Sequence, residues 1–222
     1  MKVVRGQGNP GAPRSKRATH TSMKTLRLGL IGDNIAQSQS PILHKLAGAQ
    51  HGLRITYERL IPAEQNASFD QIFAKCQSSG FRGVNVTYPY KEVVTGLLDI
   101  HDPQVKAIGA VNTVLFEPDG PVGYNTDFTG FMAAYRVARL QSKPGTVLLI
   151  GTGGAGRAVA FALAALGAEM LVLCDRDASK AKTLQRDLKH TELEVVHAED
   201  PIAASKDVTG IVNCTPVGMV GM

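Results

Sequence analysis

The chain has 222 residues, 44% of them hydrophobic, enough for one large or two small domains with a real core. Its apolar runs all fall short of the roughly 18 residues that a membrane span requires. The net charge of +5 belongs to one end: seven of the 24 basic residues lie in positions 1–27, which hold no acid, and the other 17 face 19 acids.

Residues 1–24 are rich in Gly, Pro, Ser and Thr without periodic apolar positions, which predicts a disordered basic tail. It has no apolar segment of the kind a secretory signal carries. Met23 stands just before the first strand-like run, so the tail reads as residues ahead of an internal start, not as an arm for nucleic acid or membrane. The three cysteines, Cys76, Cys174 and Cys214, are scattered and odd in number. They lack metal-ligand spacing, and Cys174 and Cys214, in apolar strand-like runs, read as small core residues in a reducing cytoplasm.

A short apolar run over 26–31 suits a buried strand. Ser40-Pro41 predicts a helix start, with Ser40 as N-cap and Pro at the first helical position. A second strand is predicted over 55–61. Phe69, Ile72, Phe73 and Cys76 recur at helical spacing and stop at Gly80. A third strand is expected over 83–86 and a short helix over 91–98. Runs 111–116 and 122–124 flank the turn residues Pro118-Asp119-Gly120. Strands alternating with helices indicate a mainly parallel α/β sheet.

A linking helix is predicted over 128–140, punctuated by Lys143-Pro144-Gly145. A second α/β unit follows, with strands over 147–150, 170–174, 193–196 and 210–214 and helices between the first three. The division is a tail (1–24), a substrate-binding domain (25–127), a linker (128–145) and an incomplete dinucleotide-binding domain of Rossmann type (146–222).

That last assignment rests on Gly151-x-Gly153-Gly154-Ala155-Gly156, which follows a predicted strand and opens a predicted helix. Glycines let the backbone turn tightly and approach a pyrophosphate, whose charge meets the N–H groups at a helix start. Asp175, 24 residues after Gly151, stands where a ribose partner is expected. Asp175 and Asp177 favour NAD over NADP because a carboxylate accepts from the 2′-hydroxyl and repels a 2′-phosphate; Arg176 argues the other way.

Oxidising a secondary alcohol needs a hydride acceptor and a group that takes the hydroxyl proton. Zinc ligands are missing, and so is Lys four positions after any tyrosine. A His–Asp pair stays open, though none of the six histidines sits in a loop beside other candidates. What remains is Lys91, after Pro89-Tyr90, and Asp127 in Asn125-Thr126-Asp127. On spacing alone, a solvated helix lysine and an N-capping aspartate explain them better.

Five ordered clusters tip the balance. Ser38-x-Ser40-Pro41-x-x-His44, Asn85-Val86-Thr87-x-Pro89-x-Lys91, Gly109-Ala110-Val111-Asn112-Thr113, Asn125-Thr126-Asp127 and Asn213-x-Thr215-Pro216-x-Gly218-Met219 surround the nucleotide loop. Over about 26–222 the chain resembles the shikimate dehydrogenase family, including its quinate/shikimate branch. The resemblance implies NAD(P)-dependent, reversible reduction of 3-dehydroshikimate to shikimate in aromatic amino acid biosynthesis. Quinate dehydrogenase, or a non-catalytic ligand-binding fragment, is the alternative. It implies Ser38 and Ser40 on the substrate carboxylate, Lys91 and Asp127 as the catalytic pair, and Thr87 and Asn112 on the ring hydroxyls. Thr215, in the closing cluster, joins the glycine loop, Asp175 and Arg176 at the cofactor. The expected partner is a small molecule alone, with no nucleic acid or membrane, on a monomer or homodimer. Lys45, Phe128 and Tyr90 depart from the biosynthetic pattern toward the NAD-using branch. Family members continue past the fourth nucleotide-domain strand with elements supplying a Tyr and a Gln to the substrate site, so the resemblance also implies a truncated chain.

Overall fold

The computed structural model describes residues 23–140 and 142–218; Met219 and the expected disordered tail through residue 22 lie outside them. Strand β1 (Thr25–Ile31) pairs in parallel with β2 (Arg54–Leu60) on one side and β3 (Gly83–Val86) on the other. Strands β4 (Thr113–Glu117) and β5 (Gly120–Tyr124) complete the sheet in the order β2-β1-β3-β4-β5. They run antiparallel, a departure from the parallel expectation. For β4 and β5 the reason is the two-residue connection Pro118-Asp119, since a parallel pairing needs a crossover of about a dozen residues; the long connection from β3 to β4 imposes no such limit.

Helix α1 (Ser40–Gln50) follows β1, and α2 (Phe69–Ser78) follows β2. Ser40 is not the N-cap of α1. Gln39 occupies that position, and Ser40 is the first helical residue with its N–H bonded to Ser38 Oγ at 3.2 Å. Helix α2 opens with a reciprocal capping box between Ser68 and Gln71. It buries the predicted Phe69, Ile72, Phe73 and Cys76 against Val84, Val86 and Val114 of the sheet. The expected helix over 91–98 is reduced to a 3₁₀ turn, Val93–Leu97. A helix that was not expected, α3 (Pro103–Ile108), is capped by Asp102 and closed by Gly109 in the left-handed region, φ 64°.

Helix α4 (Thr126–Ala138) leads to a second, wholly parallel sheet of β6 (Thr146–Ile150), β7 (Met170–Cys174), β8 (Glu194–His197) and β9 (Gly210–Asn213). Helix α5 (Gly154–Ala165) joins β6 to β7 and α6 (Ala178–Asp187) joins β7 to β8; a short α7 (Pro201–Ala204) precedes β9. The order β8-β7-β6-β9 reverses direction at β6, which opens a crevice beyond the carboxyl ends of β6 and β9. Gly151 and Thr215 follow those two ends. The core under α5 and α6 joins Leu149, Leu171 and Leu173 to Ala158, Phe161 and Leu184. It also takes in Ile108 and Ala110 from the first half of the chain. Among the described residues no helix is long and apolar enough to cross a membrane.

Candidate active site

Lys91 and Asp127 meet. The Lys91 ammonium lies 2.7 Å from Asp127 Oδ2, with the two side chains 15% and 32% exposed. Asp127 sits in the first turn of α4, but Asn125 does the capping, accepting from Phe128 N–H at 3.0 Å. The carboxylate of Asp127 is therefore free for the lysine. A capping role for Asp127, the simpler reading of the sequence, is excluded by that geometry.

Both partners hang from one backbone segment. Val111 N–H donates to the Lys91 carbonyl at 2.8 Å. The buried Asn125 side chain donates to the Ala110 carbonyl at 2.8 Å. Asn112 Oδ1 accepts from Thr126 N–H, and its Nδ2 donates to Thr126 Oγ1, both at 2.9 Å. Much of the Asn112 amide is thus committed to the start of α4, a positioning duty that the sequence did not reveal.

A polar wall runs from this pair to the serines. Thr113 Oγ1 donates to Asn112 Oδ1 at 3.0 Å, Asn85 Nδ2 donates to Thr113 Oγ1 at 3.2 Å, and Tyr57 OH donates to Asn85 Oδ1 at 2.8 Å. Burial pushes the Tyr57 phenol up to about 12, against the opposite pull of the Ser40 hydroxyl, so it stays a donor. His44 packs on Tyr57 with ring centroids 4.7 Å apart and planes tilted by 34°, and holds the Ser40 carbonyl through Nδ1 at 2.9 Å. Ser38 Oγ donates to Ser40 Oγ at 3.1 Å, and Arg59 donates to the Ser38 carbonyl at 2.8 Å. Thr87, at the end of β3, anchors its N–H on the Ile31 carbonyl at 2.9 Å. Tyr57 and Arg59 were missed in the sequence. The signal was the two-residue period of β2, which puts them on one face.

The glycine loop closes the other side. Gly151 has φ +91° and a Cβ there would lie 2.8 Å from Thr215 Cγ2, so turn and contact both demand glycine. A Cβ on Gly156 would overlap the Gly151 carbonyl, and Ala155 lies between in the first turn of α5. Gly153 caps α5 without a side chain, and a Cβ on it would meet only Glu92 Oε1 at 3.7 Å. Open space before an uncapped helix start suits a pyrophosphate. A Cβ on Gly154 would lie 2.7 Å from Lys91 Cβ, so the loop packs directly on the stem of the lysine.

Asp175 Oδ2 accepts from Thr152 N–H at 2.6 Å and Thr152 Oγ1 at 2.8 Å, while Oδ1 accepts from Asp177 N–H at 2.9 Å. Burial pushes the Asp175 carboxyl up, but the N–H of Asp177, both donors of Thr152 and the Lys180 charge outweigh it and hold the group below its ordinary range. Asp177 caps α6 through Ser179, and Arg176 between them is exposed. Thr215 bonds back to Asn213 Oδ1 through N–H at 2.9 Å and hydroxyl at 2.6 Å. Among the described residues there is no cluster of acids, histidines or cysteines that could hold a metal ion.

The family model described as "Shikimate dehydrogenase substrate binding domain" matches residues 30–114. A quinate/shikimate dehydrogenase (NAD(+)) of Corynebacterium efficiens is 36% identical over 207 residues, covering 88% of this chain and 72% of the relative. A shikimate dehydrogenase (NADP(+)) of Streptomyces avermitilis is 38% identical over 200 residues, 86% of this chain and 68% of the relative. Among solved structures, quinate dehydrogenase from Corynebacterium glutamicum in complex with NAD superposes with a TM-score of 0.76 at 31% identity, over 87% of this chain and 71% of that one. Shikimate 5-dehydrogenase from Thermus thermophilus in complex with NADP(H) and shikimate gives 0.72 at 35% identity, over 87% and 69%.

Proposed function

The chain belongs to the shikimate dehydrogenase family of NAD(P)-dependent alcohol oxidoreductases, and from that premise we propose which hydroxyl reacts and which residues carry the reaction. The substrate is shikimate, reacting at its 3-hydroxyl, with the matching hydroxyl of quinate as the second choice. The observation that carries this reading is the 2.7 Å contact of Lys91 with Asp127, set against the glycine loop.

The dinucleotide, when bound, supplies or accepts the hydride. The Ser38 and Ser40 hydroxyls, at the start of α1, receive the substrate carboxylate, with Arg59 behind the Ser38 carbonyl adding positive charge. Thr87 and the remaining N–H of Asn112 hold ring hydroxyls. In the reductive direction Lys91 delivers its proton to the ketone oxygen. Asp127 keeps the ammonium aimed, and in the oxidative direction the pair takes the hydroxyl proton. Gly151, Gly153, Gly154 and Ala155 with Gly156 cradle the pyrophosphate.

NAD is favoured over NADP. The Asp175 carboxylate is held ionised, and Oδ1, with one donor, has room for a ribose hydroxyl. The protein works on a small molecule in a reducing cytoplasm, in keeping with three free cysteines, as a monomer or homodimer.

Kinetics on Lys91→Met and Asp127→Asn test the assignment. Proton-transfer groups contribute between about a hundredfold and ten-thousandfold, so kcat for either direction should fall by that much while shikimate binding by calorimetry changes little. Unaltered turnover in both variants would remove the pair from the chemistry. Tight shikimate binding without cofactor reduction by the unaltered chain would instead mark a ligand-binding domain.

A further inference from the structure

Arg157 is a buried charge outside the chemistry above. It is the fourth residue of α5, directly after the glycine loop, and only 8% exposed. Its guanidinium reaches out of the nucleotide domain to the end of α3: Nε donates to the Ile108 carbonyl, and an NH2 group lies 3.5 Å from the Ala107 carbonyl. The same NH2 group holds Asp187 Oδ2 at 2.8 Å, which balances the charge. A Cβ on Gly109 would come within 3.2 Å of that group, so the glycine leaves the guanidinium its space.

Burying a charge is costly, and an apolar side chain there would pack without that cost. A geometric duty is the better explanation. Ile108 and Ala110 already sit in the nucleotide-domain core, yet the next peptide groups carry Lys91 and Asn125, and Asn112 fixes the start of the helix bearing Asp127. Segment 107–112 is thus a joint, tied to the glycine loop through Arg157 and to the Lys91–Asp127 pair through Ala110, Val111 and Asn112.

We propose that Arg157 is a positioning residue that fixes the Lys91–Asp127 pair relative to the dinucleotide loop, and so aligns the reacting carbon with the nicotinamide. This rests on the dehydrogenase reading above. A guanidinium holds two carbonyls and a carboxylate in fixed directions, which a point charge does not.

The test uses the full chain with Arg157→Met, and Leu184→Ala as a control that opens a cavity in the same core, where Leu184 is fully buried. A misplacement of about 1 Å can cost a hundredfold in rate, so Arg157→Met should lower kcat at least tenfold, with KM for both substrates within threefold. The primary isotope effect with deuterated reduced cofactor should rise, because hydride transfer becomes limiting. Leu184→Ala should keep kcat at a matched loss in Tm. A kcat loss no larger than the control's, or one without a rise in the isotope effect, overturns the proposal. Hydrogen exchange reads it without turnover: NAD should protect the amides of Gly109, Val111 and Asn112 in the unaltered chain and not in Arg157→Met. Equal protection in both, or none in the unaltered chain, overturns it. Failure of turnover with that protection intact would count against the dehydrogenase reading alone.

Discussion

Gly154→Ala should slow the enzyme without destabilising the protein. The added methyl would lie 2.7 Å from Lys91 Cβ, where ordinary contact begins at 3.4 Å, so one side must retreat by 0.7 Å. Because the atom struck is next to the Lys91 backbone, rotation of the side chain cannot relieve the overlap. With a 1 Å error costing up to about a hundredfold, a 0.7 Å shift of Lys91 against Asp127 predicts a kcat loss of roughly ten- to fiftyfold. Gly154 has no positive φ, so alanine also restricts the unfolded chain by roughly 0.4–1 kcal/mol, which offsets the strain. Tm should therefore stay within about 3 °C of the unaltered chain, given roughly 2–4 °C per kcal/mol at this size. Gly130→Ala in α4, where a Cβ meets nothing within 4 Å, is the control and should gain stability with kcat unchanged. The assays are turnover at saturating substrate and cofactor, and thermal melting. A kcat within twofold of the unaltered chain would refute the contact between loop and lysine, as would a loss that merely follows a fallen Tm.

Tyr57→Phe leaves Asn85 Oδ1 without its donor in a part-buried wall, at a cost of about 1–2 kcal/mol; melting should show a lower Tm and kinetics a higher KM for shikimate. Asp175→Asn should raise the NADP-to-NAD ratio of kcat/KM at least about tenfold, since the repelling charge is gone. The same variant carries a pH signature. Asp175 is depressed in the folded protein, so its stabilisation is present above the ordinary 3.8 and lost as pH falls toward the lowered value. Acid titration of Tm should fall less steeply in Asp175→Asn. Burial, with Asp127 adding and Lys91 opposing, pushes the Cys214 thiol from 9.0 to about 11, which leaves about a hundredfold less thiolate near neutral pH. Alkylation by iodoacetamide should be correspondingly slow, and fast labelling of Cys214 would contradict the burial argument.

Where local rules act alone, the chain was legible. The period of α2, the turn at Pro118-Asp119 and the glycine loop before α5 follow from side-chain spacing and φ preference. Two misreadings have separate causes. Ser40-Pro41 looked like a cap and first turn, but the cap position passed to Gln39 and the capping oxygen to Ser38. Helix α3 escaped notice because six residues carry almost no periodic signal, though Asp102-Pro103 and Gly109 mark both its ends. The motif clusters named Lys91 and Asp127, yet Arg59, Tyr57 and Arg157 lie in no such cluster as polar partners.

The sequence by itself determined the chemistry available: an ammonium, a carboxylate, paired serines, and a loop whose glycines leave room for a pyrophosphate. Residue type and local spacing place the loop, because turns and helix starts depend on neighbours along the chain, while Lys91 and Asp127 stand out only through the likeness of the five ordered clusters to the family. Only the tertiary structure decided that Lys91 and Asp127, 36 positions apart, lie within 2.7 Å and against Gly154. It also decided that Arg157 spans to carbonyls about 50 positions earlier, and that Asn125 rather than Asp127 caps α4. Those contacts arise when two sheets and their cores bring distant peptide groups to the same joint, and no local pattern encodes such a meeting.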